Sequence, residues 1–214
     1  MNELDGRPET GDCGKQYDQS YFDRWYRRSN VGVGHREFVE RKVRLALGAA
    51  EYVLGRKATS VLDVGCGEAP WRAILKRMRP KLQYTGVDAS EYVVARYGQK
   101  RNIRLGGLGE LGFVGLKGPY DLVVCSDVLH YVRSPEVRIG LGQIGQLTEG
   151  VAFLEAFTSV DDIVGDHDSF QNRTPAVYAK FFDEAGLVPV GLHLYVTRST
   201  SETLVALERG ALPR

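Results

Sequence analysis

Short apolar runs alternate with amphipathic segments along the chain from residue 36 onward. Within residues 36–55, apolar positions fall at 38, 39, 43, 45, 47, 50, 53 and 54, a spacing that predicts an amphipathic helix. Further apolar runs predict strands at Val61–Val64, Leu82–Val87, Asn102–Leu105, Tyr120–Ser126 and Val151–Phe157. Helices are predicted between and after them at Pro70–Met78, Glu91–Tyr97, Glu136–Leu147 and Pro175–Ala185.

This alternation of strands and helices predicts an α/β fold with a parallel sheet and helices on both of its faces. Near the carboxyl end, Val188–Val196 and Thr203–Leu207 are expected to pair as an antiparallel ribbon. A length of 214 residues suits one domain with a full hydrophobic core.

Three regions follow from the composition along the chain. Residues 1–16 are polar and rich in Gly, Asp and Glu, and we expect them to be a poorly ordered tail. Residues 17–35 begin with a run of aromatic side chains, and two interpretations stay open: a helix that folds over the site as a lid, or core packing. Residues 36–214 form the predicted catalytic domain.

Composition argues for a cytoplasmic protein without a membrane or nucleic-acid partner. The formal net charge is +1, so there is no general attraction to nucleic acid or to an anionic membrane. No apolar run approaches the roughly 18 residues of a membrane span, and no signal peptide is evident. Three cysteines without regular spacing predict neither a disulfide framework nor a zinc site. The sequence gives no indication of oligomeric state.

A glycine-rich turn follows the first predicted strand, in the stretch VLDVGCGEAPW. Ligands of open parallel sheets bind at the carboxyl ends of the strands, which is where this turn falls. A dinucleotide site would need a third glycine at the position of Pro70, and Asp63 would repel a pyrophosphate. Asp88 ends the next strand, where a carboxylate can accept hydrogen bonds from ribose hydroxyls. The residues therefore favour a ligand with a ribose and a cationic part.

The same stretch resembles motif I of the class I S-adenosylmethionine-dependent methyltransferases, written E/D-x-G-x-G-x-G. Asp63, Gly65 and Gly67 match, and Ala69 replaces the third glycine. Asp88 matches the family's ribose-binding acid, and YDLVVCSDVLHYV at 120–132 is similar to the fourth strand and its following turn. The resemblance covers roughly residues 36–207. It implies a Rossmann-like, doubly wound, seven-stranded sheet of order 3-2-1-4-5-7-6, with the last strand antiparallel and an N-terminal helical lid.

The resemblance also implies the cofactor, S-adenosylmethionine, with S-adenosylhomocysteine as its product. Small-molecule relatives suggest an aromatic lid over this cofactor. The residues expected to bind the cofactor are Asp63, Gly65, Cys66, Gly67, Asp88, Ala89, Leu108, Ser126, Asp127, Tyr21 and Trp25.

Methyl transfer needs alignment above all, and a base only where the acceptor must lose a proton. His130, just after the fourth strand, is the candidate general base, with packing or capping of the loop as the open alternative. Residues expected to contact the acceptor are Tyr26, Tyr131, His167, Arg173 and Tyr178. No metal site is predicted, because the Asp-His-Asp triplet around His167 points its side chains in different directions.

The predicted function is methyl transfer from S-adenosylmethionine to O or N of a small molecule. One alternative is a protein or RNA methyltransferase, which would need an acidic or basic recognition surface or a further domain. A second alternative is a regulatory protein that binds the cofactor without turnover. Position 126–129 reads Ser-Asp-Val-Leu, which disfavours the amino-methyltransferases that act on nucleic-acid bases.

Overall fold

The computed structural model describes residues 17–24, 36–162 and 166–205. Seven strands form one sheet: β1 (Ser60–Val64), β2 (Gln83–Asp88), β3 (Ile103–Leu105), β4 (Tyr120–Ser126), β5 (Thr148–Glu155), β6 (Leu187–Gly191) and β7 (Leu194–Thr197). The helices are α1 (Gln19–Phe22), α2 (Arg36–Leu54), α3 (Pro70–Met78), α4 (Glu91–Arg101), α5 (Ser134–Leu147), α6 (Pro175–Glu184) and α7 (Arg198–Thr203).

The strand order is β3-β2-β1-β4-β5-β7-β6, which confirms the predicted topology. The five strands from β3 to β5 are parallel, and β7 is antiparallel to both β5 and β6. Parallel strands covered on both faces read as continuous apolar runs, and all residues of β4 except Ser126 are buried. The carboxyl ends of β1, β2, β4 and β5 therefore meet along one edge of the sheet.

Two hydrophobic clusters hold helices against the two faces of the sheet. One contains the buried side of α2 and α3 together with Phe153 of β5, against which Trp71 packs at a centroid distance of 5.3 Å. The other contains α5 and α6 and the alternate residues of the same strands. Side chains alternate along a strand, so Asp63, Ser126 and Glu155 belong to the face that carries α2 and α3.

The prediction for the terminal ribbon was wrong. The two paired strands are Leu187–Gly191 and Leu194–Thr197, and Thr203 ends the helix α7 instead of starting a strand. Leu192 and His193 form the turn between them with φ of +53° and +64°. Gly191, directly before this turn, has φ of +97° and is the local signal for it, which the predicted strand Val188–Val196 ran through. Residues 206 and 207 of the predicted strand lie outside the described residues.

The helix α4 extends beyond its predicted end at Tyr97 and reaches Arg101, where Asn102 with φ of +55° caps it. No helix in the described part of the chain is both long and apolar enough to cross a membrane.

Candidate functional site

The glycine turn after β1 is held tightly between β2 and the turn that follows β4. Gly65 N–H donates to Val87 O at 2.7 Å, and Gly65 and Gly67 have φ of +67° and +51°. A Cβ placed on Gly65 would lie 2.4 Å from Val128 Cγ2. Glycine is required here both for the left-handed backbone and for this close approach.

Ala69, which stands at the family's third glycine, has φ of +57° and is buried. A left-handed conformation costs an alanine roughly 1–2 kcal/mol. Ala69 therefore holds its left-handed backbone at an energetic cost, and Pro70 starts α3 directly after it.

Asp63 lies on β1 with only 3% of its surface exposed. Burial raises the pKa of this carboxyl to about 7; the negative charge of Asp88 adds to the rise, and the hydrogen bond from Tyr84 opposes it. Tyr84 Oη donates to Asp63 Oδ2 at 2.7 Å from the neighbouring strand β2. Sequence reasoning missed Tyr84, because its contact with Asp63 depends on the register between β1 and β2.

Asp88 ends β2 and orients both neighbouring turns. Its carboxylate accepts Gly67 N–H at 2.7 Å and Ser90 N–H at 2.9 Å. Burial raises the Asp88 pKa, and these two hydrogen bonds oppose the rise. In the part of the chain that the structure describes, no lysine or arginine forms an ion pair with Asp63 or Asp88. A cationic ligand with hydroxyl groups fits this pair of uncompensated carboxylates.

The remaining cofactor positions differ in exposure. Ala89 is exposed, whereas the side chain of Leu108 is buried against α5, where a Cβ on Gly140 would lie 2.4 Å from Leu108 Cγ. The Cys66 side chain is also buried, which raises the pKa of its thiol well above the usual range. Leu108 therefore offers mainly its backbone to a ligand at this edge.

Ser126 belongs to a polar group that the sequence did not reveal. Its hydroxyl donates to Glu155 Oε2 at 2.6 Å, and Lys42 Nζ on α2 donates to the same oxygen at 2.6 Å. Glu155 is buried at the end of β5. This ion pair fixes the first half of α2 against the carboxyl edge of the sheet. An acid at the end of an apolar strand was the available signal, but its partner lies 113 residues away.

The predicted base, His130, is completely buried. Its Nδ1 accepts Phe157 N–H at 3.3 Å, and its Nε2 lies 3.2 Å from Asp127 Oδ1. This second contact lies outside hydrogen-bond geometry, so Nε2 has no hydrogen-bond partner among the described residues. Phe157 and Phe170 pack around the ring with centroid distances of 5.2 and 5.6 Å. His130 therefore has no exposed surface, and its role as a general base stays a prediction.

The described N-terminal segment lies over the turn at Asp88. Tyr17 O accepts the Ser90 hydroxyl at 2.6 Å, and Phe22 stacks on Tyr92 with a centroid distance of 5.8 Å. Burial raises the pKa of Tyr21, and the charges of Asp166 and Asp127 add to the rise. Tyr21 therefore lies within electrostatic range of the loops that follow β4 and β5. Trp25 and Tyr26 lie outside the described residues.

Two predicted acceptor residues sit on the loop side of the site. Tyr131 Oη donates to Asp166 O at 2.9 Å, which joins the turn after β4 to the loop after β5. His167 is exposed on that loop. Among the described residues no group of three His, Cys, Asp or Glu side chains could hold a metal ion.

Arg173 and Tyr178, both expected to contact the acceptor, are buried in the structure. Arg173 donates to Leu129 O at 3.1 Å, to Val132 O, to Ser134 Oγ at 3.0 Å and to Tyr178 Oη at 3.1 Å. The guanidinium thus satisfies the backbone of the turn that carries Asp127 and His130. Its donors are already used by the fold, and contact of these two side chains with an acceptor stays a prediction.

The chain matches the family model described as a methyltransferase domain over residues 34–190, which is most of its length. It therefore belongs to the methyltransferase domain family, and its cofactor is S-adenosylmethionine. The search of curated proteins returned no match.

Solved structures share the fold at low sequence identity. One is magnesium protoporphyrin IX methyltransferase from Synechocystis PCC 6803 with bound S-adenosylmethionine, with 22% identity, 80% of this chain and 82% of that chain covered, and a TM-score of 0.58. A second is DesVI from Streptomyces venezuelae, with 16% identity, 87% and 98% covered, and a TM-score of 0.57. A third is an S-adenosylmethionine-dependent methyltransferase from Archaeoglobus fulgidus, with 15% identity, 78% and 73% covered, and a TM-score of 0.57.

Proposed function

We propose that this methyltransferase transfers the methyl group of S-adenosylmethionine to an oxygen or nitrogen atom of a small-molecule acceptor. The observation that carries the proposal is the pair of uncompensated carboxylates, Asp63 and Asp88, beside the tightly held glycine turn. When bound, S-adenosylmethionine supplies an electrophilic methyl group on a sulfonium and leaves as S-adenosylhomocysteine.

In this proposal, the residues of the protein bind the cofactor and orient the reactants. Asp88 accepts hydrogen bonds from the ribose hydroxyls, since both of its oxygens are already oriented by Gly67 and Ser90. Asp63 faces the cationic amino-acid part of the cofactor and is held by Tyr84. The glycine turn contributes its backbone at Gly65, Cys66 and Gly67. These residues bring the two reactants into line, which supplies most of the rate enhancement in such a displacement.

The other predicted contacts complete the cofactor and acceptor sites. Ala89 and the backbone at Leu108 flank the adenine, and Ser126 and Asp127 lie toward the methyl group. Tyr21 and Trp25 cover the cofactor, and Tyr26, Tyr131 and His167 contact the acceptor. The hydrogen bond from the Ser90 hydroxyl to Tyr17 O, beside Asp88, supports the lid interpretation of the N-terminal segment.

One structural neighbour supports a small acceptor. The Synechocystis enzyme is a magnesium protoporphyrin IX methyltransferase, and a porphyrin is a small molecule. The groove of about 360 Å³ between α6 and the β6–β7 hairpin is a separate feature, because neither the glycine turn nor Asp63, Asp88 or Asp127 lines it.

Calorimetric titration tests cofactor binding, with S-adenosylmethionine, S-adenosylhomocysteine and NAD as ligands. We expect the first two to bind and NAD not to bind. Asp88→Ala should weaken binding at least about tenfold, because two charge-assisted hydrogen bonds are lost. Glu202→Ala, which removes an exposed acid on α7, is the matched control and should leave the Kd unchanged. Equal affinity in Asp88→Ala and wild type would contradict the assigned cofactor site.

Turnover is tested separately with methyl-labelled S-adenosylmethionine and the small-molecule filtrate of a cell extract. Label should enter the filtrate fraction in a protein-dependent manner. Label in macromolecules alone would favour the protein or RNA alternative. Binding without any transfer would favour a regulatory protein.

A further inference from the structure

The turn after β4 combines a strained backbone, a buried imidazole and a carboxylate at the edge of the cofactor site. Asp127 has φ of +63°, a conformation that side chains other than glycine rarely adopt. Such strain is concentrated at sites where the surrounding structure holds a functional side chain in place. The next residue, Val128, contacts the glycine turn at Gly65, so Asp127 lies where β4 meets the cofactor site.

The hydrogen bonds of His130 define which nitrogen carries its proton. Nδ1 accepts Phe157 N–H, so in the neutral ring the proton resides on Nε2. Nε2 lies 3.2 Å from Asp127 Oδ1 but outside hydrogen-bond geometry, and it has no hydrogen-bond partner among the described residues. A buried donor without a partner is unfavourable, and a small movement of Asp127 would satisfy it. Catalytic hydrogen bonds often close in this way only when substrate binds.

The side chains of His130 and Asp127 differ in exposure, and this difference assigns them different roles. The side chain of His130 is 0% exposed, whereas that of Asp127 is 21% exposed. A group without exposed surface cannot take a proton from an acceptor directly. Burial raises the pKa values of Tyr131 and Tyr21, and the charge of Asp127 adds to both rises, so the carboxylate lies within electrostatic range of the two phenols.

We propose that Asp127 is the acceptor-facing catalytic residue of this site and that His130, as its Nε2–H tautomer, is the positioning residue that holds the Asp127 carboxylate. The inference rests on the proposed methyl transfer and assigns its acceptor class: a group with an N–H or O–H proton to lose. The backbone of the turn is fixed by Arg173 through Leu129 O and Val132 O, and Gln171 N–H donates to His130 O at 2.8 Å.

The proposed methyl transfer conserves atoms and electrons. The lone pair of the acceptor N or O forms a bond to the methyl carbon, and the C–S bond breaks with its electron pair remaining on sulfur. The acceptor proton passes to a carboxylate oxygen of Asp127. It then leaves to solvent from the exposed side of that carboxylate, which restores the site.

The first test is histidine NMR on the full chain labelled with ¹⁵N at histidine, which has four histidines to assign. His130→Gln identifies the His130 signals by their loss. The expected pattern is an Nε2-protonated ring whose Nε2 resonance moves in Asp127→Asn. A proton on Nδ1, or a resonance unaffected by Asp127→Asn, would overturn the proposal whether or not an acceptor has been found.

The second test measures the rate of label transfer to the small-molecule filtrate at saturating S-adenosylmethionine. Removing a general base typically lowers the rate about 10²–10⁴-fold, and we expect Asp127→Asn to fall in this range while the cofactor Kd stays within about threefold. A loss that appears only in the cofactor Kd would place Asp127 on the cofactor and overturn its acceptor-facing role. A wild type that binds the cofactor but transfers no label would overturn the proposed function itself.

Two substitutions of His130 separate positioning from packing. His130→Gln keeps an amide donor near the place of Nε2, whereas His130→Asn keeps only an acceptor near the place of Nδ1. We expect His130→Gln to retain more activity than His130→Asn at equal folding, measured by circular dichroism. In the double variant with Asp127→Asn, His130→Asn should cause no further loss, because its effect acts through Asp127. If the two substitutions instead lower the rate by factors that multiply, His130 has a structural role separate from Asp127, and its assignment as a positioning residue is refuted.

Discussion

The contact between Gly65 and Val128 can be tested by adding a single methyl group. Gly65→Ala forces an alanine into φ of +67° and places its Cβ 2.4 Å from Val128 Cγ2. The left-handed backbone costs roughly 1–2 kcal/mol, and overpacking at a fixed neighbour costs roughly 1–3 kcal/mol. We therefore expect a loss of about 2–5 kcal/mol in the free energy of unfolding. Val128 must also move, and with it Asp127, so cofactor affinity should fall as well.

Substitutions at two other glycines measure the backbone cost without the overpacking cost. Gly55 has φ of +63° but nothing within 4 Å of an added Cβ, so Gly55→Ala should cost only the backbone part, about 1–2 kcal/mol. Gly48 lies within α2 with an ordinary backbone and open space around it. Alanine is favoured over glycine by roughly 0.5–1 kcal/mol inside a helix, so Gly48→Ala should stabilise the protein.

Urea unfolding monitored by circular dichroism measures all three variants against wild type. The expected order of stability is Gly48→Ala, wild type, Gly55→Ala and then Gly65→Ala. If Gly65→Ala costs no more than Gly55→Ala, the glycine turn does not touch Val128 as the structure places it. The account of how β4 closes the cofactor site would then be wrong.

Three further predictions concern the buried carboxyl groups. Burial raises the pKa of Asp63 to about 7 in the folded protein. The free energy of unfolding should therefore be highest below pH 4 and fall by up to about 4 kcal/mol as the pH rises from 4 to 7. Asp63→Asn should lack this fall. Tyr84→Phe removes the hydrogen bond that lowers the Asp63 pKa, so the same fall should extend to higher pH. Burial alone would raise the pKa of Asp121, but hydrogen bonds from Arg56 and Thr59 lower it to about 2. The stabilisation from Asp121 should be present above pH 4 and lost between pH 4 and 2, and Asp121→Asn should cost about 2–3 kcal/mol in urea unfolding at neutral pH.

Most of the central sheet could be predicted because each buried strand is a local apolar run. β1, β2 and β4 appear where the runs VLDV, LQYTGV and YDLVVCS predict them, within one or two residues. The terminal ribbon could not be predicted in the same way. The alternation of apolar residues continues from Val188 to Val196, so the prediction placed Gly191 inside one long strand. Gly191, Leu192 and His193 all have positive φ and turn the chain instead.

The residues of the candidate site also fall into two groups, those that a local sequence pattern places and those that only tertiary contacts place. Asp63 and Asp88 could be placed from sequence because each directly ends or lines a strand next to a turn. Tyr84 could not, because its contact with Asp63 depends on the register between β1 and β2. Arg173 was expected to contact the acceptor, but in the structure it is buried and donates to four oxygen atoms of α5, α6 and the turn after β4.

The sequence by itself determined the order of the strands and helices from α2 to α6, the position of the glycine turn and the family to which the chain belongs. These depend on local periodicity and on residues that are close neighbours along the chain. Only the tertiary structure decided that Lys42 and Ser126 share Glu155, and that His130 is enclosed while Asp127 keeps part of its surface exposed. Those contacts join residues on different strands and helices. Their distances and burial are set by packing of the whole fold, which no local pattern contains.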